Sequence, residues 1–432
     1  MKHKAFQILT DNWENGYTIP SKNLYPFQWF WDSGFIAIGY AHFDLNKALT
    51  EIQTLFNAQW KNGFIPHIIF HKQSDTYFPG PEFHQAHLHP LANKKYPSTG
   101  MTQPPVTGFV LEKILEIASD KPKVLKFIEK NIDKVFSNHH YFYTHRDPNN
   151  EGLAYIYHNW ESGTDNSPIW DAIWDTFDAP EISFRRLDTN VVNASERPTN
   201  KDYYNYLHLI NIAKKYHYND DEIAKNSPFL IQDPLFNAIL IKSNQALINL
   251  YKKIGGHQHK INQLKTWQSK SISSFNKKLF NKELNAYVHF DLRNNRPIPM
   301  VSSSSFAALF AGIPTKDIAK KLINTLRLKF KKDTLYLCAS FDPTHKKYDP
   351  VKYWRGPVWV NLNWMLYYGL NAYGYTDLAE TIKKDTLELV EKAGFYEYFD
   401  AQKASYSKNS SGCGGSNFSW TAALFIDLLN TK

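Results

Sequence analysis

DLNKALTEIQTLFNAQW, residues 44–60, shows the pattern that decides the fold class. Its apolar residues recur at steps of three and four, at Leu45, Ala48, Leu49, Ile52, Leu55 and Phe56. Asp44 stands directly before the first of them, where the N-cap of a helix is expected. The spacing therefore predicts an amphipathic α-helix with one face in a core.

The same pattern predicts helices along most of the chain. They are expected at about 104–118, 121–137, 200–216, 234–254, 257–279, 314–327, 357–373, 376–393 and 417–430. The alternating pattern of a strand is scarce, and no alternation of strands and helices indicates a parallel sheet. We therefore expect an all-α protein in which residues 1–432 form one domain of about a dozen helices.

Three connections are long and rich in Pro, Gly, His and aromatic residues, at 62–105, 146–200 and 394–416. Long structured loops on a helical scaffold usually carry functional groups. We expect these loops to build one site at one end of the domain. Insertions at about 62–105 and 175–200 are expected to form a cap over the substrate.

Composition narrows the classes of function. The net charge is +9, but much of the Lys lies in helical segments such as KPKVLKFIEKNIDKVF (121–136). Because no nucleic-acid-binding motif occurs, a nucleic-acid partner is not expected. Two cysteines, Cys338 and Cys413, are too few for a disulfide framework. No secretion signal or membrane-length apolar run occurs, so we expect a cytoplasmic protein without a membrane partner. A homo-oligomer is left open.

Aromatic residues make up 16% of the chain, and four loop-like stretches place them around carboxylates, an Arg or an amide. The stretches are YPFQWFWDSGF (25–35), NWESGTDNSPIWD (159–171), YWRGPVWVNLNW (353–364) and GFYEYFDAQ (394–402). Aromatic rings pack against the apolar face of a pyranose, while charged groups bind its hydroxyls. Together the stretches indicate a site for a sugar.

Two of these stretches supply candidates for the pair of carboxyl groups that glycoside hydrolysis requires. In residues 159–171, Glu161 and Asp165 are four positions apart and would repel each other on a helical turn. That repulsion, together with the two tryptophans, favours one protonated carboxyl as the proton donor. Spacing alone leaves Glu161 and Asp165 as alternatives. Glu397, which is flanked by aromatic residues, fits the second carboxylate.

Several of these features also have structural explanations. The spacing of Trp and Asp in residues 159–171 fits core packing with a capping Asp. Asp32 could cap a helix that begins near Ser33, and Arg355 could form an internal salt bridge.

HQAHLH, residues 84–89, is the candidate for a metal site. Beyond Glu82 no carboxylate or cysteine lies near these histidines, and their spacing is not that of a zinc motif. We expect neither a metal nor a cofactor.

Three segments resemble, in the same order, motifs of glycoside hydrolase family 63 and its trehalase relatives. They are WESGTDNSPIWD (160–171), YWRGPVWVNLNW (353–364) and the C-terminal pair FYEYFD and GGSNFSWTAAL. The resemblance covers about residues 25–428. It implies an (α/α)6 toroid of six helical hairpins and an inverting O-glycosyl hydrolase.

Within that family the chain is most similar to bacterial mannosylglycerate and glucosylglycerate hydrolases. ERPTNKDYYNYL (196–207) resembles a loop in which an Arg and a Tyr bind glycerate, here Arg197 and Tyr203. An Arg fork suits a small carboxylate, although Arg197 could also form a surface ion pair. The resemblance implies an α-linked mannosyl- or glucosyl-glycerate as the small-molecule substrate, cleaved to hexose and glycerate. The alternatives are an α-glucosidase or trehalase-like hydrolase of neutral sugars, and a non-catalytic carbohydrate-binding protein.

The resemblance also implies roles for individual residues. Asp165 falls on the general acid and Glu397 on the general base. Substrate-binding residues are implied at Tyr25, Trp29, Trp31, Asp32, Tyr77, Gln103, Glu161, Arg197, Tyr203, Tyr353, Trp354, Arg355 and Trp359. Of these, Tyr77 and Tyr353 are expected on the glycerate side. The chain departs from the family at SSGCGGSN (410–417), where a glycerate-binding Gln is expected.

Overall fold

The structure, a computed structural model, describes residues 1–331, 333–403 and 412–431. These residues contain sixteen α-helices, and the first eight are α1 Lys2–Asp11, α2 Phe30–Ala41, α3 Leu45–Asn57, α4 Pro81–His84, α5 Thr107–Ile117, α6 Lys121–His145, α7 Asp171–Trp174 and α8 Asn200–Lys215. The other eight are α9 Asp220–Asn226, α10 Pro234–Ile254, α11 Gln258–Ser274, α12 Ala307–Phe310, α13 Lys316–Thr325, α14 Val360–Ala372, α15 Thr376–Ala393 and α16 Ser419–Asn430.

Short β-strands lie in the segments between the helices and pair with one another. In the same described ranges they are β1 Gln28–Trp29, β2 Ile68–Ile69, β3 Ile231–Gln232, β4 Phe280–Asn281, β5 Ala286–Tyr287, β6 His289–Asp291, β7 Arg296–Ile298, β8 Tyr396–Phe399 and β9 Gly412–Ser416. They pair antiparallel as β1–β2, β3–β6–β7, β4–β5 and β8–β9. The prediction of an all-α protein is confirmed, with small sheets at the loops.

Six helices of the described chain close into an inner ring. Around it, α2 packs against α5, then follow α10, α12, α14 and α16, and α16 packs against α2 again. Five outer helices, α3, α6, α11, α13 and α15, each follow an inner helix in the chain. The sixth outer helix is α1, which packs against α16 at the other end of the chain. The fold is therefore the predicted (α/α)6 toroid.

The inner and outer helices differ in how their side chains are buried. Every residue of α2 is buried, and α16 is exposed only at its last two residues. A helix that is apolar on all sides is stable only when neighbours cover all sides. By contrast, α3 buries one face, as the pattern of residues 44–60 predicts, and Asp44 accepts a hydrogen bond from the Lys47 N–H at 3.1 Å as its N-cap.

Several helix boundaries differ from the predictions. The helix predicted at 121–137 continues to His145, and the one predicted at 257–279 leaves α-geometry after Ser274 in a π-turn, Phe275–Leu279. Helix α2 begins at Phe30 rather than near Ser33. Helices α1, α4, α7, α9 and α12 were not predicted.

The helices do not have the character of membrane spans. In residues 1–331, 333–403 and 412–431, none of them combines the length and apolar character that crossing a bilayer requires.

Candidate active site

A cavity of about 870 Å³, counting its open mouth, lies at the end of the ring where inner helices begin. Its walls include Asp32 in the first turn of α2, Trp359 directly before α14 and Phe418 directly before α16. A cavity of this size suits a small organic ligand.

Most residues of the predicted site meet in this cavity. Those lining it are Tyr25, Trp29, Trp31, Asp32, Tyr77, Gln103, Asp165, Arg197, Tyr203, Tyr353, Trp354, Trp359 and Glu397. They come from positions more than 300 residues apart in the chain, and closure of the helical ring brings them together. Glu161 and Arg355 do not line the cavity.

Stacked aromatic rings form one wall. The rings of Trp354 and Trp359 lie parallel with centroids 3.6 Å apart, and Trp359 also stacks on Tyr398 at 4.7 Å. On another side, Trp31 meets Trp420 edge to face at 5.5 Å. Such packed rings present rigid apolar faces with few rotamers to lose, which suits the C–H face of a sugar.

The loop that carries Asp165 is fixed from both sides. A 3-10 turn, Asn159–Ser162, ends at Gly163, whose φ of +74° is left-handed and whose Cβ position would collide with the Trp31 ring. After this bend, the Asn159 side chain donates to the Asp165 carbonyl at 2.6 Å. Glu161 and Asp165 are therefore not neighbours on one helical turn, and that expectation is wrong.

Asp165 is set up to hold a proton near neutral pH. Burial raises its pKa to about 7, and the negative charge of Glu397 adds to the rise. The Tyr353 hydroxyl donates to Asp165 Oδ2 at 3.1 Å, and this bond and Arg197 act in the opposite direction. The desolvated setting, rather than Glu161, keeps this carboxyl protonated.

Glu397 lies on β8 and accepts hydrogen bonds at both carboxylate oxygens. The Tyr25 hydroxyl donates to Oε1 at 2.7 Å, and the Gly415 N–H donates to Oε2 at 3.0 Å. Burial raises the pKa of Glu397, while Arg197 and these two donors oppose the rise. Arg197 favours the ionised form of both carboxyls, but Glu397 accepts two hydrogen bonds where Asp165 accepts one from Tyr353.

Arg197 is buried, with only 5% of its surface exposed, so it is not a surface ion pair. Its Nε donates to Asp188 at 3.3 Å, its Nη2 donates to the Tyr25 hydroxyl at 3.1 Å, and its Cζ lies 4.2 Å from the centroid of the Tyr353 ring. Nη1 lies 3.6 Å from Glu397 Oε2 and has no hydrogen-bond acceptor within the described chain. A buried guanidinium in a cavity wall is suited to an anionic ligand.

Glu161 is not placed to bind a sugar, which corrects the prediction from the sequence. Its side chain is fully buried, and Arg146 donates to both of its oxygens, at 3.1 and 3.2 Å. The N–H groups of Thr102 and Tyr157 donate to the same carboxylate. Glu161 therefore anchors the segment beside Gln103 and the start of the loop that carries Asp165. Removing one partner of such a buried pair typically costs about 3–5 kcal/mol.

Arg355 is also not a sugar ligand, and the internal salt bridge is the correct alternative. Its two Nη atoms donate to Asp171 at 3.0 and 2.8 Å, and Nη1 donates to the Asn166 carbonyl at 3.2 Å. Lys347 lies 2.9 Å from the same carboxylate. Arg355 therefore holds the two ends of the segment that follows Asp165.

Asp32 does not cap a helix, because α2 already begins at Phe30. Its carboxyl faces the cavity, and burial, followed by Glu397 and Asp165, raises its pKa well above the usual value. Gln103 also lines the cavity, and its Oε1 accepts the Trp31 N–H at 3.1 Å. That bond leaves the amide nitrogen of Gln103 for a ligand.

Some cavity residues were missed in the sequence. His67, Asp188, Tyr206, Phe418 and Trp420 line the walls but were not among the predicted site residues, although the last three lie in recognised segments. The aromatic content of YNYL and NFSW was the signal that could have found Tyr206, Phe418 and Trp420.

The histidines of residues 84–89 are not part of a metal-binding group within the described residues. His84 is fully buried, and burial lowers its pKa to about 3, so it is a neutral core residue. Within residues 1–331, 333–403 and 412–431, no group of three or more His, Cys, Asp or Glu side chains could hold a metal ion.

SSGCGGSN (410–417), where a glycerate-binding Gln was expected, contains no Gln and is only partly described. Residues 404–411 lie outside the described residues, and residues 412–416 form β9. Gly414 and Gly415 on β9 supply backbone N–H groups to the site rather than side chains.

Comparison with known proteins identifies the family to which the chain is similar. Residues 25–421 match the family described as a mannosylglycerate hydrolase MGH1-like glycoside hydrolase domain. A mannosylglycerate hydrolase of Rubrobacter radiotolerans is 36% identical, over 99% of this chain and 96% of that protein. A glucosylglycerate hydrolase of Mycolicibacterium hassiacum is 29% identical, over 99% and 97%.

A solved structure of the same kind covers the whole chain. The GH63 mannosylglycerate hydrolase of Thermus thermophilus, crystallised with Tris and D-glycerate, superposes with a TM-score of 0.92 at 35% identity. The superposition covers 100% of both chains.

Proposed function

The chain belongs to the mannosylglycerate hydrolase MGH1-like family of glycoside hydrolases, and on that basis we propose that it hydrolyses a 2-O-α-hexosyl-glycerate with inversion. The hexose is mannose or glucose, and the products are free hexose and glycerate. The observation that carries the choice of aglycone is the guanidinium of Arg197, a buried cation in the cavity wall.

Two carboxyl groups act in the proposed reaction, one as general acid and one as general base. Asp165, with a pKa of about 7, protonates the glycosidic oxygen as the bond to the anomeric carbon breaks. Glu397 takes a proton from the water that attacks the opposite face of the sugar. Because water attacks directly, the first product is the β-anomer of the hexose. No cofactor takes part in this scheme.

Of the other residues that line the cavity, some bind the sugar of the substrate and others bind its glycerate. Trp29, Trp31, Trp354 and Trp359 enclose the sugar, and Asp32 and Gln103 bind its hydroxyls. Arg197 binds the carboxylate of glycerate, with Tyr77, Tyr203 and Tyr353 beside it. The segments 62–105 and 175–200 contribute Tyr77 and Arg197 respectively, and we propose that they form the substrate cap. We also propose that the enzyme is cytoplasmic.

The test is hydrolysis of mannosylglycerate, glucosylglycerate, trehalose and kojibiose, followed by ¹H NMR. We expect rapid cleavage of at least one glycerate conjugate, with the β-hexose appearing first. First appearance of the α-hexose would contradict inversion. Preference for a neutral disaccharide would favour the α-glucosidase or trehalase-like alternative, and tight binding without any product would favour a carbohydrate-binding protein.

Replacing Arg197 by Met should separate charged from neutral substrates. Loss of the guanidinium leaves the substrate carboxylate unpaired, a change that costs about 2–5 kcal/mol at buried sites. We expect KM for the glycerate conjugate to rise about 30-fold or more, and KM for 2-O-α-mannosylglycerol, which lacks the carboxylate, to change little.

The matched control is Arg185→Met, because Arg185 is exposed on the same loop. Both variants are assayed across pH, since Arg197 lowers the pKa of Glu397 and its loss should move the acid limb to higher pH. An equal rise in KM for the charged and the neutral substrate would contradict the assignment of Arg197.

A further inference from the structure

Glu196, directly before Arg197, touches both strands of the hairpin that carries Glu397. Its carboxylate Oε2 accepts the Gly414 N–H of β9 at 3.1 Å. Its backbone carbonyl accepts the Tyr398 hydroxyl of β8 at 3.1 Å. One residue of the 175–200 segment is therefore bonded to β8 and to β9.

The hydrogen bonds on β9 connect this residue to Glu397. Gly414 donates to Glu196, and the next residue, Gly415, donates to Glu397 Oε2 at 3.0 Å. Successive N–H groups of one short strand thus hold a loop glutamate and the proposed base. A shift of β9 by a fraction of an ångström would alter both bonds together.

The backbone at Gly414 leaves little space for such a shift. Its φ of +70° is left-handed, and a Cβ there would collide with the Glu397 carboxylate and the Tyr398 ring. Close approach of β9 therefore places the Gly415 N–H on Glu397. Arg197 Nη1 lies 3.6 Å from Glu397 Oε2, so residue 197 contacts Glu397 directly, whereas residue 196 contacts the strand that bonds it.

We propose that Glu196 is a positioning residue for the hydrolysis: by accepting the Gly414 N–H, it fixes β9 and thereby orients Glu397 while Arg197 engages the substrate. This inference rests on the proposed role of Glu397 as the base. Glu196 itself touches no substrate atom. It joins the substrate cap to the strand that orients the base, so that a correctly seated cap and a correctly oriented base occur together.

Three substitutions separate the geometry from the charge of Glu196. Glu196→Gln keeps an acceptor at the same reach and removes the charge. Glu196→Asp keeps the charge and is one methylene too short for Gly414, and Glu196→Ala removes both. We expect Gln to retain kcat within about 3-fold, and Asp and Ala to lower it about 10- to 100-fold, the range for a small misplacement of a reacting group.

The substrates are the glycerate conjugate and 2-O-α-mannosylglycerol. A positioning effect on Glu397 lowers kcat for both. A role confined to the aglycone site would raise KM for the charged substrate alone, and that result would overturn the proposal. The opposite order, with Asp active and Gln impaired, would also overturn it, because charge and not reach would then matter. The control is Glu181→Asp, on the same loop and exposed.

Hydrogen exchange gives a readout that needs no turnover. In Glu196→Asp and Glu196→Ala, the amides of Gly414 and Gly415 should exchange at least 10-fold faster than in the Glu181 control, because β9 opens locally. Unchanged exchange at both amides would contradict the positioning role. Wild-type enzyme that cleaves neither glycerate conjugate would contradict the proposed function, and the exchange result would still decide the role of Glu196.

Discussion

Asp165→Asn is expected to lower kcat on a hexosyl-glycerate by about 10²- to 10⁴-fold, the usual contribution of a general acid. The amide keeps the size of the side chain and accepts the Tyr353 hydroxyl, but it cannot supply a proton to the leaving oxygen. Without that proton glycerate must depart as an alkoxide, which is a poor leaving group, so cleavage of the glycosidic bond is slow. The free energy of unfolding should not fall, since burial of the carboxyl is itself unfavourable.

The measurement that isolates proton donation uses an α-hexosyl fluoride. Fluoride departs with little need for an acid, so Asp165→Asn should recover most of its activity on this substrate. The control is Asp175→Asn, which changes an exposed carboxyl near α7. Equal losses on the fluoride and on the glycerate conjugate would show that Asp165 is not the proton donor.

The pH profile provides a second check on the same residue. Asp165 acts only while protonated, and its pKa is about 7, so kcat/KM of the unmodified enzyme should fall as the pH rises through about 7. That alkaline limb should disappear with the fluoride as substrate. An alkaline limb of equal position on both substrates would assign it to another group.

The fold could be predicted wherever burial follows a local rule. Helix α3 buries one stripe and shows it in the spacing of residues 44–60. By contrast, α12 is four residues long, Ala307–Phe310, and is an inner helix only because α10 and α14 flank it. Helix α1 buries Ala5, Ile8 and Leu9 against the opposite end of the chain. Contacts of this kind depend on closure of the ring, which no local pattern encodes.

The site was predictable where chemistry depends on a motif and less so where it depends on placement. Asp165, Glu397 and Arg197 lie in recognisable segments and meet in the cavity. Glu161 and Arg355 lie in the same segments, but their charges are used by Arg146 and Asp171. A carboxylate or guanidinium among aromatic residues can bind a ligand or brace a loop, and sequence alone does not separate the two uses.

Glu397→Gln is expected to lower kcat by about 10²- to 10⁴-fold on the glycerate conjugate and on the α-hexosyl fluoride alike. An easier leaving group does not replace the base, because the attacking water still needs to lose a proton. This result differs from that of Asp165→Asn, where the fluoride restores activity. The matched control is Glu391→Gln, an exposed glutamate on α15.

Azide decides whether the lost step is attack by water. Azide is anionic and needs no base, so with the α-fluoride and Glu397→Gln it should form the bond to the anomeric carbon as fluoride leaves. Attack from the side of Glu397 gives the β-hexosyl azide, and added azide should raise the rate of fluoride release. An α-hexosyl azide would indicate reaction through a covalent intermediate and contradict direct displacement. The pH profile of Glu397→Gln on the glycerate conjugate tests whether the two carboxyls interact. The negative charge of Glu397 raises the pKa of Asp165, and the neutral amide removes that charge. The alkaline limb of kcat/KM should therefore move to lower pH in this variant.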